Sequence, residues 1–387
     1  MNTDLDALYE QFEAADYETR CQLFQQAVTH PEMDGELAFA MLDELYEYAA
    51  AANERDRFDQ LILTLRKNAP AAYDAEAGYM LEWQITNALV DGRFATIPTL
   101  IQELAQHAAD APEIVINATD QLAYYDQLAP LATLFNDAWP HIQAADIDEW
   151  VIEEFAILAT NAIILHYLET AVAPTPTDAA LLTQLEQYIE FEASGLAEHM
   201  TQITGQAPRA WQNSDFALPK AHRDTEIPEQ LEQNLTHLLR AFVHHLRTNE
   251  QMPLSRAGLA YWPLAELLFT HSEDLLTSSS YQSKNKQKGP YTRITAAPSP
   301  LLPTAKLLDE YLDSLLDPFA PQYYRAAALV SALPAWLRFL ADQKLITAAQ
   351  SSQARQQFAS AIRPLREIWE QTAVDPALTA SLQAWTA

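Results

Sequence analysis

The sequence predicts an all-α protein, and three observations carry that expectation. Apolar residues recur at three- and four-residue steps along most of the chain, which is the period of an amphipathic helix. No segment alternates apolar and polar residues with β-branched enrichment, the mark of a half-buried strand. Glycine is scarce, with 7 in 387 residues, where average usage is about 7%. So few glycines argue against a β-rich fold with many tight turns, and against glycine-rich phosphate loops.

The helical pattern opens with Leu5, Leu8 and Phe12, is repeated by Cys21, Phe24 and Val28, and continues in Leu37, Met41 and Leu45. Further helical segments are expected at 61–65, 97–104, 114–122, 131–139, 150–168, 181–203, 231–246 and 259–276. Asp16, Asp34, Asp74 and Thr177 stand where a side-chain oxygen caps the free N–H groups of a first turn. Asp146, Asp148, Glu149, Glu153 and Glu154 gather at the start of the long segment 150–168. Carboxylates there suit the positive end of the helix dipole; the alternative is an acidic partner site.

In the second half, 211–228 reads as a connector containing Pro219 and Pro228. A helix over 228–248 follows, with its proline in the first turn. The next, 253–276, carries Pro263 as a possible bend. Residues 277–303 form an irregular segment, with Ser278 to Ser280, Lys284, Lys286, Lys288, Gly289-Pro290, Pro298, Pro300 and Pro303. It reads as a solvated loop or a contact for an anion or acidic partner. Helices then resume at 304–316, 323–345 (with Pro334 as a kink or break) and 348–372, the last capped by Thr347. Asp375-Pro376 opens a short final helix.

Charge divides the chain. Residues 1–208 hold 36 acidic and 6 basic residues, while 209–387 hold 17 of each, for a net charge of −30. No Lys or Arg occurs between Arg93 and Arg209. The expected organisation is an acidic helical-repeat domain, 1–208, and a charge-balanced helical domain, 209–387, interrupted by the 277–303 loop. A negative field disfavours nucleic acid and anionic membranes as direct partners. The longest apolar-looking run, 155–168, reads as a buried helix too short to span a bilayer. One cysteine, Cys21, excludes an intramolecular disulfide and a multi-cysteine zinc site. It sits on an apolar stripe and reads as core. The first residues have neither a basic nor an apolar leader segment, so a cytoplasmic location is expected.

Three inter-helix turns recur in the first half. Phe58 follows Arg55-Asp56-Arg57, Phe94 follows Asp91-Gly92-Arg93, and Leu128 follows Tyr125-Asp126-Gln127, at spacings of 36 and 34 residues. Over residues 36–145 this periodicity resembles the tetratricopeptide helix-hairpin repeats. Asp91-Gly92-Arg93-Phe94 matches that family's inter-helix turn and the aromatic after it. The small-residue positions are filled by larger side chains, Leu61 and Ile97. The resemblance implies an antiparallel helix-hairpin array, an α-solenoid, followed by a helical C-terminal region.

No phosphate loop, dinucleotide fingerprint, nucleophile elbow or zinc-protease motif is present. No catalytic residue or cofactor site is therefore assigned. His237, His244 and His245 share one predicted helix, but a seven-residue step is too long for two imidazoles to meet one ion, and no metal site is assigned. The carboxylate pairs Glu149/Glu153 and Glu186/Glu190 read as a solvated acidic face. Aromatic pairs such as Tyr79/Trp83 and Tyr124/Tyr125 either fill the core between helices or line a peptide-gripping groove.

The expected function is a non-enzymatic adaptor that binds a basic or amphipathic segment of another protein. Tyr79, Trp83, Tyr124, Glu149 and Glu153 are its candidate partner-binding residues. One alternative is a helical enzyme with a carboxylate-based site between the halves. The other is a nucleic-acid mimic.

Overall fold

A computed structural model describes residues 5–190, 193–206, 208–218, 227–284, 299–317, 321–372 and 375–385. All regular structure among them is helical, with no strand. The first helices are α1 (Leu5–Glu13), α2 (Tyr17–Ala27), α3 (Gly35–Ala51), α4 (Arg55–Asn68), α5 (Pro70–Ala75), α6 (Ala77–Val90) and α7 (Ile97–Leu104). Then come α8 (Pro112–Tyr124), α9 (Leu128–Ala144), α10 (Glu149–Thr170), α11 (Ala179–Leu185) and α12 (Ala193–Ile203). The last are α13 (Glu229–Thr248), α14 (Leu254–Lys284), α15 (Ala305–Leu315), α16 (Tyr323–Asp342), α17 (Ala348–Thr372) and α18 (Pro376–Ala380).

The chain packs as two compact units. One comprises Met1–Leu122, Ala129–Ala159 and Glu370–Ala377; the other comprises Ala123–Leu128, Thr160–Trp369 and Leu378–Ala387. The change in charge at residue 208 lies within the second unit.

From α1 to α7 each helix packs on the next and often on the next but one. Helix α2 meets α3 and α4, α3 meets α4 and α5, and α4 meets α5 and α6. The apolar stripes read from sequence form this core: Leu8, Phe12, Cys21, Phe24, Met41 and Leu45 are all buried. Asp16 and Asp34 cap as expected, accepting from the backbone N–H of Thr19 and Leu37, each at 2.9 Å. Asp74 does not: it lies inside the short helix α5, because Pro70 starts a new helix after α4 has ended. Thr177 is one residue early, and Asp178 caps α11 through two N–H groups.

All five arginines of residues 1–208 are ion-paired, each to a carboxylate in a different helix or turn. Arg20 joins α2 to Glu44 of α3 at 2.7 Å. Arg57 joins α4 to Glu18 of α2 at 2.6 Å, and Arg66 joins α4 to Glu103 of α7 at 2.8 Å. Arg20, Arg57 and Arg66 also lie over the rings of Phe12, Tyr17 and Tyr73 at 5.2, 5.4 and 4.9 Å. Such contacts add cation–π attraction to the charge pair. The most buried junction is Asp59 of α4, which accepts from Asn87 of α6 and from Arg93 of the following turn, each at 2.8 Å.

In the second unit α13, α14 and α16 pack on one another, with α12 against α13 and α15 against α14 and α16. Trp336 is fully buried, as expected; its ring meets Phe242 edge-on at 5.1 Å, and its indole N–H donates to the Leu301 carbonyl at 3.1 Å. Pro263 and Pro334 do not interrupt α14 or α16. Packing outweighs the lost hydrogen bond at Pro334, whose neighbours Ala332, Leu333, Ala335 and Trp336 are all buried. The helix expected over 181–203 is two helices, α11 and α12. Helix α14 runs on to Lys284, so irregular chain begins later than expected. Residues 285–298 and the Lys284 side chain lie outside the description, and with them the lysine cluster.

Helix α10 has 22 residues, more than its apolar run of 155–168, and contributes to both units. By length and composition it is long and apolar enough to cross a membrane. Half of its most apolar window is buried in the protein, which a core helix of a soluble protein also shows.

Removing the Arg93 guanidinium leaves the Asp59 carboxylate buried without its cation. Arg93→Met is expected to cost about 2–3 kcal/mol, since breaking a buried pair strands the remaining charge. Asp59→Asn in the same background should recover most of that loss. Lys67→Met, on the exposed surface, should stay within about 0.5 kcal/mol. Urea unfolding of the four proteins checks this, and equal midpoints for wild type and Arg93→Met would refute it.

Candidate functional site

The four-residue step between Tyr79 and Trp83 puts both rings on one face of α6. There they meet aromatics of α3 and α4. Phe39 lies 5.0 Å from Tyr79 and stacks on Trp83 at 5.3 Å with 9° between the planes. Tyr46 and Phe58 approach Trp83 at 5.4 and 5.6 Å. The cluster grades from core to surface: Phe58 and Tyr46 are buried, while Phe39, Tyr79 and Trp83 are partly exposed.

Carboxylates surround its open side. Glu82, next to Trp83, accepts one hydrogen bond, from the Gln121 amide at 3.1 Å. Gln121 is fixed in turn by the Thr86 hydroxyl at 2.8 Å. Burial, with the Glu113 charge added, pushes the Glu82 carboxyl up to about 8. The Tyr79 hydroxyl is raised by burial and by Glu113, Glu76 and Glu82. Asp43 of α3 is raised by burial and by Glu47 and Glu44. No Lys or Arg is among the charges acting on these three groups. With Glu82 held protonated below about pH 8, the negative charge beside the aromatic faces comes from Glu76 and Glu113, and a cation placed there gains from both charge and ring.

Of the residues proposed from sequence, Tyr79 and Trp83 come together in this cluster. Glu149 and Glu153 are exposed in the first two turns of α10, beside Trp150, in the same unit. Tyr124 is elsewhere: it belongs to the second unit and is 2% exposed. The Arg256 guanidinium covers its ring at 4.1 Å and donates to its carbonyl at 2.8 and 2.6 Å, while Tyr324 packs edge-on at 5.4 Å. That surface is spent inside the unit. Glu82 was not singled out in the sequence, where carboxylates are too common for one to stand out.

A cavity of about 750 Å³ lies in the second unit, and His237, His244 and His245 of α13 line it. These histidines were examined in sequence as metal ligands, but their spacing together with Ala241 also marks one helix face turned to a cavity. Among the described residues no group of three or more His, Cys, Asp or Glu is placed to hold a metal ion. His237 donates toward Glu198 of α12 at 3.2 Å. Burial lowers the affinity of both His237 and His245 for a proton, against the pull of Glu198 on the first and of Glu250 and Asp342 on the second. Gly205, at φ +70°, lets the chain pass flat against the His244 ring; a Cβ there would overlap it.

Compared with known proteins, the chain matches no family model, no curated protein and no solved structure.

The raised Glu82 carboxyl has a consequence for stability. Its folded value, about 8, lies above the ordinary glutamate value, which is near 4.3 in an unfolded chain. The folded chain therefore keeps a proton that the unfolded chain has lost. The stability this gives is fully present below about pH 4 and is lost as pH rises to about 8. Glu82→Gln keeps the acceptor for Gln121 and removes the titration. The variant is expected to match wild type near pH 5 and to exceed it by about 1–3 kcal/mol at pH 9. Urea midpoints at the two pH values test this; parallel curves would refute it.

Proposed function

We propose that the chain is a non-enzymatic binding protein whose first unit takes a basic, amphipathic segment of another protein. The observation that carries this reading is the partly exposed Phe39–Tyr79–Trp83 cluster, where Glu76 and Glu113 act on Tyr79 with no Lys or Arg among the opposing charges, while Glu82 stays protonated at neutral pH. Apolar and aromatic side chains of a partner would cover the rings, and its Lys or Arg groups would meet the carboxylates. Glu149 and Glu153 extend the negative surface. Charge of this kind speeds encounter and sets specificity, while the buried aromatic contacts hold the complex.

The successive packing of α3 to α7, with turns near residues 53 and 92, supports a tetratricopeptide-like array for this segment. In such arrays the first helix of each pair lines the binding face. In this reading α3 and α6, which carry Phe39, Tyr46, Tyr79 and Trp83, are the first helices of their pairs.

A fluorescent amphipathic peptide of alternating Lys, Arg and Leu provides the test, with its Glu-substituted counterpart as control. The basic peptide should bind, weaken steadily as salt rises, and lose roughly tenfold or more in affinity to Trp83→Ala. Equal binding of both peptides, or indifference to Trp83→Ala, would overturn the reading.

A further inference from the structure

The cavity of the second unit carries a separate function, independent of the reading of the first unit. Its walls differ in how far their polar groups are already used. On the wall built by α12 and the middle of α13 they meet one another. Glu198 Oε1 takes both the Gln202 amide and His237 Nε2, each at 3.2 Å. Gln202 accepts in turn from Arg240 at 3.1 Å. Arg209 lies on the Trp211 indole at 4.3 Å, donates to Asn234 at 3.1 Å and has Asp215 at 3.6 Å. Among the described residues Arg209 is the only Lys or Arg that lines the cavity, and it is committed within the protein.

The second wall stands where α13 and α16 end. Phe339 of α16 packs on His245 of α13, with ring centres 5.2 Å apart. Gln343 and Asn249 lie four residues beyond them, one turn further along the same helix faces, with Asp342 beside Gln343. Here hydrogen-bonding capacity is unspent. Asn249 Oδ1 accepts from the Thr248 hydroxyl at 2.8 Å, while its amide N–H groups donate to no described residue. Among the described residues the Gln343 amide and the Asp342 carboxylate make no side-chain hydrogen bond. His245 Nε2 is buried with Glu250 at 3.5 Å, longer than a good hydrogen bond. Buried polar atoms without partners are rare in a finished structure and ask for a ligand or water.

We propose that this cavity binds a neutral sugar, a mono- or disaccharide whose hydroxyls are shared among Asn249, Asp342 and Gln343. An amide presents donor and acceptor side by side, and a carboxylate presents two acceptors. Neighbouring sugar hydroxyls donate and accept at once, so they satisfy such a mixed set. Other ligand classes fit less well. An apolar ligand would leave these groups desolvated and unpaired. An anion would meet Asp342 while the cavity's arginine is engaged elsewhere. A cation would suit Asp342 but would face the amide N–H groups. Ala241 and Phe339 offer apolar surface to the C–H face of a sugar ring. The recognising groups stand on helix ends fixed by the packing of α13 on α16, which preorganises them. The volume, about 750 Å³, lies within the roughly 300–1,000 Å³ of small-ligand sites.

Saturation-transfer NMR and titration calorimetry of the full chain test the proposal with glucose, galactose, mannose, xylose, maltose and sucrose, and with methylammonium and acetate as ionic probes. At least one sugar should bind saturably, with a dissociation constant below about 10 mM, and more tightly than either ion. Asp342→Leu and Gln343→Leu should each weaken that sugar roughly tenfold or more, because its hydroxyls then lose their partners. Neither side chain is hydrogen-bonded within the protein, so both variants should keep the wild-type melting temperature and report on the site alone. Failure of every sugar to saturate by about 50 mM, tighter binding of either ion, or a sugar affinity indifferent to both substitutions would overturn the proposal.

Discussion

The acidic half of this chain is held together by the few cations it possesses. Five arginines stand among 36 carboxylates in residues 1–208, and each is committed to an internal partner. All five pairs cross from one element to another, and three of the arginines also cover an aromatic ring. Placed at random on the surface, so few cations would contribute almost nothing. Placed at helix junctions, they give the packing a register that hydrophobic contact alone leaves loose. Only Lys67 of this half's six basic residues stands outside these pairs, and no Lys or Arg is among the charges acting on Asp43, Tyr79 and Glu82.

Much of the fold was legible because it rests on local rules. The apolar stripes, the caps at Asp16, Asp34, Thr304 and Asp375, and the box formed by Thr347 and Gln350 all follow from neighbouring residues. What escaped depends on contacts between segments far apart in sequence. A proline reads as a breaker until the helix around it is buried on all sides, as at Pro334. The sequence suggests one long helix over 181–203 because the apolar stripes of α11 and α12 run in phase, with no proline or glycine at the break after Leu185.

The candidate site was legible to the same degree. The Tyr79/Trp83 spacing assigns both rings to one face whatever the tertiary structure. Tyr124 has the same residue type and a similar helical setting, yet it is buried beneath Arg256, more than a hundred positions away. The histidine cavity needs α12, α13 and α16 together, and only α13 shows its part in the spacing of His237, Ala241, His244 and His245. Glu82 differs from its many acidic neighbours only in what packs around it.

The scarcity of glycine leaves a mark on the backbone. Helices α3 and α6 end in the same double hydrogen-bonded cap, one around Asn53 and the other around Gly92, and α16 ends so around Lys344. Asn53, Asp126, Gln251 and Lys344 all hold left-handed backbone angles, with φ between 55° and 60°. A side chain in that region costs about 1 kcal/mol or more relative to glycine. Two of the four recover something for it: Asn53 accepts from Arg55 at 2.9 Å, and Asp126 accepts from Ser255 at 3.1 Å. Asn53 ties the turn to the first residue of α4 and Asp126 ties it to α14, which glycine could not do. Lys344 makes no such bond, so its strain is uncompensated. With Gln251, it marks a place where the chain retains stability that a change to glycine would release.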